Sequence, residues 1–469
     1  MRRSIVALCS VALLLGAWPP GVLGAAPSVT GATAPLTARN VILMIDDGAG
    51  YNHHLAGSLY DKGQPGAEAY NAFPVQVAVA TYSYGDVPVN GCEGGVVGYD
   101  PALAWSQFWY VLGDPTDSAA AATAMATGVK TYDSAIGVDC GRHAEANIVE
   151  IVESLGKSSG VVTSVPFSHA TPAAFVAHDV ARDDYLGIAH QMIATSAVDV
   201  IMGGGHPYFS RVGQASKKPG WTWVGSADWA ALTAGTAGAD ANGDGVTDPW
   251  TLVQTREEFQ ALMTGETPQR VLGLAQVRRT LQADRGGDAY AAPFEVPFIE
   301  TVPTLSEMAA GALNVLDADP DGFFLMVEGG ATDWASHDNQ PGRMIEEEVA
   351  FDRSVDTVTA WVDQHSSWDE TLVVVVSDHE TGYLTGLGSQ SSADGPLWLP
   401  VSGKGAGVTP GLQFNSGTHT NSLVPLYAKG AAAQVFRDAV SGFDPHRGYF
   451  LDNTDIHRLI EQVMTAPAT

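Results

Sequence analysis

Basic residues are scarce in this chain: 23 lysines and arginines stand against 52 aspartates and glutamates, a formal charge of −29. That balance supplies no basic patch of the kind a nucleic-acid surface needs. It repels polyanions at long range and favours solubility, so any anionic ligand must meet local positive charge, from metal ions or from a particular arginine. Cysteine is nearly absent, with 3 in 469 residues. Cys9 falls within the first apolar run, which leaves Cys92 and Cys140: a disulfide in an oxidising compartment, or two separate thiols. After the N-terminal region no stretch is long and apolar enough for a membrane span of about 20 residues. Internal repeats and extended low-complexity segments are also missing.

The N-terminal run has the layout of an export signal. Arg2 and Arg3 precede an apolar stretch from Ile5 to Trp18, and small residues Gly24, Ala25 and Ala26 follow. Residues 1–24 are therefore expected to be a signal peptide, and the protein to be secreted or periplasmic. Leu8 before Cys9 is not the small residue a lipoprotein cleavage site prefers. The full sequence is 45% hydrophobic, enough for one large α/β domain.

Four short apolar runs end in polar, ligand-type residues. Asn40–Ile45 meets Asp46-Asp47-Gly48, and Gly160–Val165 leads to His169-Ala-Thr171-Pro172. Phe323–Val327 ends at Glu328, and Thr371–Ser377 ends at Asp378-His379. Continuous β-rich runs separated by helical segments indicate buried parallel strands, and open α/β sheets gather their sites beyond the carboxyl ends of strands. The expected fold is α/β, a central mostly parallel sheet sandwiched between helices, over residues 37–466. Residues 209–255, rich in Gly, Ala and Trp and without a sustained period, look like a loop-rich insertion. Within it Asp240, Asn242, Asp244, the Val246 carbonyl and Asp248 have the alternation of a calcium loop with Gly245 at the sixth place. Thr251 stands where an EF-hand has glutamate, so a polar Asp/Gly turn is the competing reading.

Among the helices, Ser118–Thr127 is alanine-rich and stops at Gly128. Arg343–His365 sets Val355, Val358 and Val362 on one face, and its Glu346-Glu347-Glu348 run reads as solvated surface. Asp117 caps the helix that begins with Ser118, so a hydroxyl sits where a helix N-terminus favours an anion. Glu328-Gly-Gly-Ala-Thr-Asp333-Trp-Ala-Ser-His337 puts two carboxylates and an imidazole at metal-ligand spacing. A serine with such ligands suggests metal-assisted phosphoryl transfer.

The motifs Asp46-Asp47-Gly48-Ala-Gly50, Thr116-Asp117-Ser118-Ala-Ala, Thr127-Gly128-Val-Lys130-Thr, His169-Ala-Thr171-Pro172, Glu328-Gly, Asp333 with His337, Asp378-His379 and His419-Thr420 resemble, in order, the motif series of alkaline phosphatases. The resemblance implies a secreted phosphomonoesterase with two zinc ions and one magnesium, working through a phosphoserine on Ser118. It implies a first zinc on Asp333, His337 and His419, and a second on Asp47, Asp378, His379 and Ser118. The third, magnesium site would take Asp47, Thr171 and Glu328. His169 stands where many members have aspartate and would turn that site toward zinc or cobalt. Trp334 replaces a lysine common in the family and leaves more of the phosphate charge to Arg182, which matches the family's phosphate clamp. Asp46 occupies a position usually held by glycine. Small phosphorylated substrates of broad range, alkaline working conditions and a homodimer are further implications. The rival readings are a phosphodiesterase of the same superfamily and a non-catalytic secreted calcium-binding protein. No Cys/Ser-x-Pro-x-Arg segment supports a sulfatase. His53, His54, His143, His178 and His206 lack motif support and read as structural or surface residues.

Overall fold

The computed structural model describes residues 37–85, 92 and 98–466. The export segment expected at residues 1–24, with Cys9, lies outside the described residues.

Eleven strands form the central sheet. In chain order they are β1 Asn40–Asp46, β2 Val75–Ala80, β3 Ser158–Pro166, β4 Val200–Gly204, β5 Thr251–Val253, β6 Val271–Leu274, β7 Phe323–Gly329, β8 Thr371–Val376, β9 Val424–Gly430, β10 Gly442–Asp444 and β11 Gly448–Asp452. Their order across the sheet is β10-β11-β2-β9-β8-β1-β7-β3-β4-β6-β5. Every pairing from β8 through β1, β7, β3, β4 and β6 to β5 is parallel. β9 runs antiparallel to both neighbours. The sheet is thus mixed and mostly parallel, as its unbroken Val/Ile/Leu runs require, since such strands must be covered on both faces.

The helices that cover it are α1 Tyr51–Asp61, α2 Ser118–Thr127, α3 Ile148–Ser154, α4 Tyr185–Ala194, α5 Leu305–Leu316, α6 Ala331–His337, α7 Pro341–His365 and α8 Thr454–Thr465. Strand alternation assigns the two faces. Val41, Leu43 and Ile45 of β1 pack with residues of α2, α3, α4 and α8. Ile42 and Met44 pack with α5 and α7 on the other side. α2 is buried along its whole length, which its alanines allow because they demand little room. It ends at Gly128 in the left-handed region (φ 73°), where a β-carbon would stand 2.9 Å from His457.

Three sequence expectations take a different or sharper form. Glu346, Glu347 and Glu348 are 3, 6 and 0% exposed, not solvated. α7 is flanked by α1, α5 and α6 as well as the sheet, so it has no broad solvent face at that turn. Residues 209–255 include Thr251–Val253, the edge strand of the main sheet, which pairs parallel with β6. Cys92 and Cys140 are joined in a disulfide. In the Asp240–Asp248 loop, Asp240, Asn242, Asp244 and Asp248 side chains accept backbone N–H bonds from within the loop. No described helix is long and apolar enough to cross a membrane.

Candidate active site

β8, β1, β7 and β3 lie side by side, so the four polar strand ends converge on one edge of the sheet. Asp47 follows β1, Glu328 closes β7, Asp378 and His379 follow β8, and the turn after β3 carries His169 and Thr171. α6 starts directly beyond β7 and brings Asp333 and His337 back over the same edge, one helical turn apart. A two-stranded antiparallel pairing of Glu380–Thr381 with His419–Thr420 sets His419 beside His379, their rings stacked at 3.7 Å between centroids.

One group of donors comprises Asp333, His337 and His419. His337 Nε2 and His419 Nε2 are 2.9 Å apart, and each is 3.4 Å from Asp333 Oδ1. His337 Nδ1 donates to the Gly417 carbonyl and His419 Nδ1 to the Thr116 carbonyl, both at 2.8 Å. A carbonyl can only accept, so each Nδ1 carries a proton and a neutral ring would turn a bare Nε2 lone pair toward the other. A cation between them reconciles that contact. A second group comprises Asp47, Asp378 and His379, with His379 Nε2 3.7 Å from Asp47 Oδ1 and 3.2 Å from Asp378 Oδ2. Thr381 Oγ1 donates to Asp333 Oδ1 at 2.6 Å and lies 3.3 Å from His379 Nδ1. It thus links the two groups from behind.

Ser118 opens α2, and its Oγ is 3.1 Å from His379 Nε2. Asp117 fixes this end twice over. Its Oδ1 caps the helix by accepting the Ala120 N–H at 2.9 Å, and its Oδ2 accepts from Arg182 Nη1 at 2.9 Å. Arg182 Nη2 reaches to 3.4 Å from His169 Nε2, so the guanidinium is held on one side and aimed along the cleft. Burial lowers the Arg182 pKa, but the Asp117 carboxylate more than offsets it, and the net shift is upward.

The oxygen-rich corner lies deeper. Thr163 donates to Glu328 Oε2. Glu328 Oε1, Thr171 Oγ1, both Asp47 carboxylate oxygens and Asp378 Oδ2 are buried without a well-formed hydrogen bond. Native interiors leave few such groups unmade, so this donor set fits metal ions. The electrostatics agree. Burial, then Asp378, Asp333 and Glu328, push Asp47 well above the usual carboxylate range. Burial lifts Asp378 to about 6 and Glu328 to about 7. Burial also presses Asp333 upward, yet the imidazoles of His419 and His337 outweigh it and hold it below the usual range. Burial works against the charged form of His419, and Asp333 overrides it, raising that ring to about 9. His379 is driven down by burial and by His419. His169 falls to about 3, by burial and then by Arg182, and is a neutral imidazole.

A cleft of about 460 Å³ opens onto Ser118, His169, Arg182, Trp334, His337 and His419. It also exposes Arg279, which sequence reasoning missed. Its guanidinium lies 4.4 Å from the Trp334 ring centroid and pairs with Asp284 at 2.9 Å. A second cation thus stands over Trp334 at the cleft. The supporting hydroxyls of Thr163 and Thr381 were missed as well, since a single threonine carries no spacing signal. Asp46 faces away from this cleft and accepts from Thr332 Oγ1 at 2.8 Å.

The strand edge thus gathers carboxylates and imidazoles, the donor types of a metal centre, around a serine at a helix start. A family model described as alkaline phosphatase matches residues 38–396, and the chain belongs to that family. It is 31% identical over 362 residues to alkaline phosphatase 4 of Bacillus subtilis, a match covering 74% of this chain and 62% of the length of that protein. It is 29% identical to the alkaline phosphatase of Escherichia coli over 73% of this chain and 70% of that one. The structure of the alkaline phosphatase from the Antarctic bacterium TAB5 superimposes with a TM-score of 0.59 at 25% identity, covering 91% of this chain and 98% of that one. A histidine-to-aspartate variant of the TAB5 enzyme, with magnesium bound in its M3 site, matches equally well.

Proposed function

We propose that this chain hydrolyses phosphate monoesters in two displacements through Ser118. The observation that carries the reading is the placement of the Ser118 hydroxyl: at a helix N-terminus, 3.1 Å from His379 Nε2, with Arg182 anchored beside it by Asp117. Asp333, His337 and His419 would hold one zinc, Asp47, Asp378, His379 and Ser118 the second, and Asp47, Thr171, Glu328 and His169 a third ion, magnesium or a transition metal. When bound, these ions stabilise the charge on the entering and leaving oxygens and lower the pKa of the attacking hydroxyl and water.

The chain's own groups do the rest. Arg182, tied at Nη1, directs its remaining N–H groups at two non-bridging phosphoryl oxygens. The first N–H groups of α2 face the same anion. Ser118 Oγ forms a bond to phosphorus as the ester oxygen departs, leaving phosphoserine. Water then attacks the same phosphorus, the Oγ–P bond breaks, and inorganic phosphate and free Ser118 result. Arg279 on Trp334 adds positive charge at the mouth of an acid-rich molecule, favouring entry of small anions. Few groups in the cleft are placed to read the alcohol portion, which supports a broad range of monoesters. The paired Cys92 and Cys140 support an exported protein, because disulfides persist in oxidising compartments, and phosphate scavenging is the role consistent with that.

The test compares p-nitrophenyl phosphate with its bis-ester at alkaline pH, with zinc and magnesium, with chelator, and with Ser118→Ala. Monoester turnover at least a hundredfold above diester turnover, lost with chelator and with the alanine, is the expected result. Preference for the diester would move the chain to a phosphodiesterase reading. No turnover of either by a zinc-loaded protein would sink the enzyme reading.

A further inference from the structure

Behind the catalytic edge, on the opposite face of β1, lies a second convergence of ligand-type side chains that the proposed reaction does not use. Asp46 shares the side of β1 that carries Ile42 and Met44, as the two-residue period requires, and so points toward α1 and α7. There it meets His54 of α1 and Glu348 of α7. His54 Nδ1 is 3.8 Å from Asp46 Oδ2 and 3.3 Å from Glu348 Oε2. Donor atoms bound tetrahedrally at about 2.0–2.1 Å are about 3.4 Å apart. The catalytic group has the same spacing, 3.4 Å from Asp333 to each of its histidines. The three donors lie within 4.8 Å of one another.

The hydrogen-bond ledger at this place does not close. Asp46 Oδ2, both oxygens of Glu348 and Asp352 Oδ2 are buried with no N–H or hydroxyl partner, and the Asp46 and Glu348 carboxyls lie close enough to contend for one proton. Asp46 Oδ1 is satisfied by Thr332 and Asp352 Oδ1 by Tyr70 at 2.9 Å. Among the described residues the N–H recorded beside these oxygens is that of His54 Nδ1, and it can serve one acceptor. Positive side chains are committed elsewhere. Arg285 and Arg343 both go to Glu346, only two residues along α7, and Lys62 to Asp61 and Glu68. Among the described residues no lysine or arginine pairs with Asp46, Glu348 or Asp352. Buried carboxylates without protons or cations are very costly. α1 packs closely over this place at Gly57, where a β-carbon would stand 3.1 Å from Glu348 Cβ, 3.5 Å from its Oε2 and 3.7 Å from Asp352 Oδ2.

We propose that Asp46, His54 and Glu348 bind a structural divalent cation, zinc by their mixed oxygen and nitrogen donors, with Asp352 Oδ2 turned toward the same space. The ion joins the end of β1 to α1 and α7. Asp46 is the neighbour of Asp47, and its partner Thr332 is the neighbour of Asp333, so this tie stiffens the backbone that carries two catalytic ligands.

The experiment is anomalous diffraction from crystals of the zinc- and magnesium-loaded wild-type protein, collected on either side of the zinc edge. The expected result is a peak bounded by Asp46, His54 and Glu348, separate from those at the catalytic edge. Metal analysis of the same preparation should show one bound ion fewer per chain in Glu348→Gln and no loss in His143→Ala, an exposed control. No ion density at the cluster, with the Asp46 and Glu348 carboxyls at hydrogen-bonding distance and sharing a proton, would overturn the proposal, as would unchanged metal content in a folded Glu348→Gln. The wild-type diffraction decides the matter even if that variant fails to fold.

Discussion

The two faces of β1 hold two clusters built from the same chemical parts in different settings. At the catalytic edge, Asp47, Asp333, Asp378 and their histidines border an open cleft, with Arg182 and Arg279 supplying fixed positive charge. Behind it, Asp46, His54 and Glu348 are enclosed by α1 and α7 with no arginine of their own. Donor spacing is alike in both. Access is the difference: the proposed nucleophile Ser118 and the proposed clamp Arg182 line an open cleft, while the other cluster is enclosed. A ligand cluster therefore suggests a metal, and its surroundings determine whether that metal can take part in chemistry. Adjacent residues of one strand end, Asp46 and Asp47, serve the two clusters separately because successive side chains point to opposite faces.

The largest expected effect separates chemistry from scaffold. Ser118→Ala should lower kcat for p-nitrophenyl phosphate on the order of 10⁴-fold or more, while the thermal midpoint of the metal-loaded protein does not fall. A Ser118→Ala protein that retains a tenth of the activity would mean that the open cluster works without its serine.

Metal removal should affect both clusters, with a definite pH dependence. Asp378, Glu328 and Glu348 sit at about 6, 7 and 8 in the folded metal-free chain, above an unfolded value of about 4. The folded state therefore binds these protons more tightly than the unfolded one. Their contribution to stability is complete below about pH 4 and is lost as pH rises through 6 to 8. His419, raised to about 9, has the same sign and is lost last. The chelated protein should melt progressively lower from pH 5 to pH 8.5, and the rise in midpoint on adding zinc should grow over that window. A flat profile would mean that these carboxyls have other partners.

Arg182→Lys is the next step down. A lysine cannot be held by Asp117 and also present a two-pronged donor, so kcat/KM should fall roughly 10–100-fold with zinc content unchanged. If lysine restores full kcat/KM, the bidentate clamp is not the operative contact.

Much of the open site was legible in sequence because most of its ligands follow a strand or lie one helical turn from another, whereas His419 was reached only through the motif resemblance. Apolar runs stopping at Asp47, Glu328 and Asp378 carry a local signature, and Asp333 with His337 carries a helical one. The enclosed cluster has no such signature. His54 and Glu348 are 294 positions apart in number and meet only because α1 packs on α7. Three consecutive glutamates look solvated until it is known that α7 is covered by α1, α5 and α6. Arg285 and Arg343 then account for Glu346 and leave Glu348 without a cation. The direction of Asp46 was latent in the strand period, since it shares parity with Ile42 and Met44. Arg279 could not be found that way, for it reaches the cleft from an irregular segment with no period.

The smallest effect gives the sharpest contrast between the faces. Gly57 lies in the interior of α1 with ordinary helical backbone, so alanine there should favour the helix by about 1 kcal/mol on propensity alone. The added methyl, however, would sit 3.1 Å from Glu348 Cβ and 3.5 Å from its Oε2, and crowding of a packed interior costs about 1–3 kcal/mol. In the metal-loaded protein Gly57→Ala should therefore lower stability by a net 0–2 kcal/mol, read from denaturant midpoints, with kcat for the monoester little changed. In the chelated protein, with the ion gone, the Glu348 carboxylate can swing away from the methyl while its Cβ cannot, so the destabilisation by Gly57→Ala should shrink on chelation. At the open edge the matching change is Gly48→Ala, whose methyl would meet Asp333 Cα at 2.7 Å from a left-handed backbone (φ 79°), so it should destabilise the protein with or without metal.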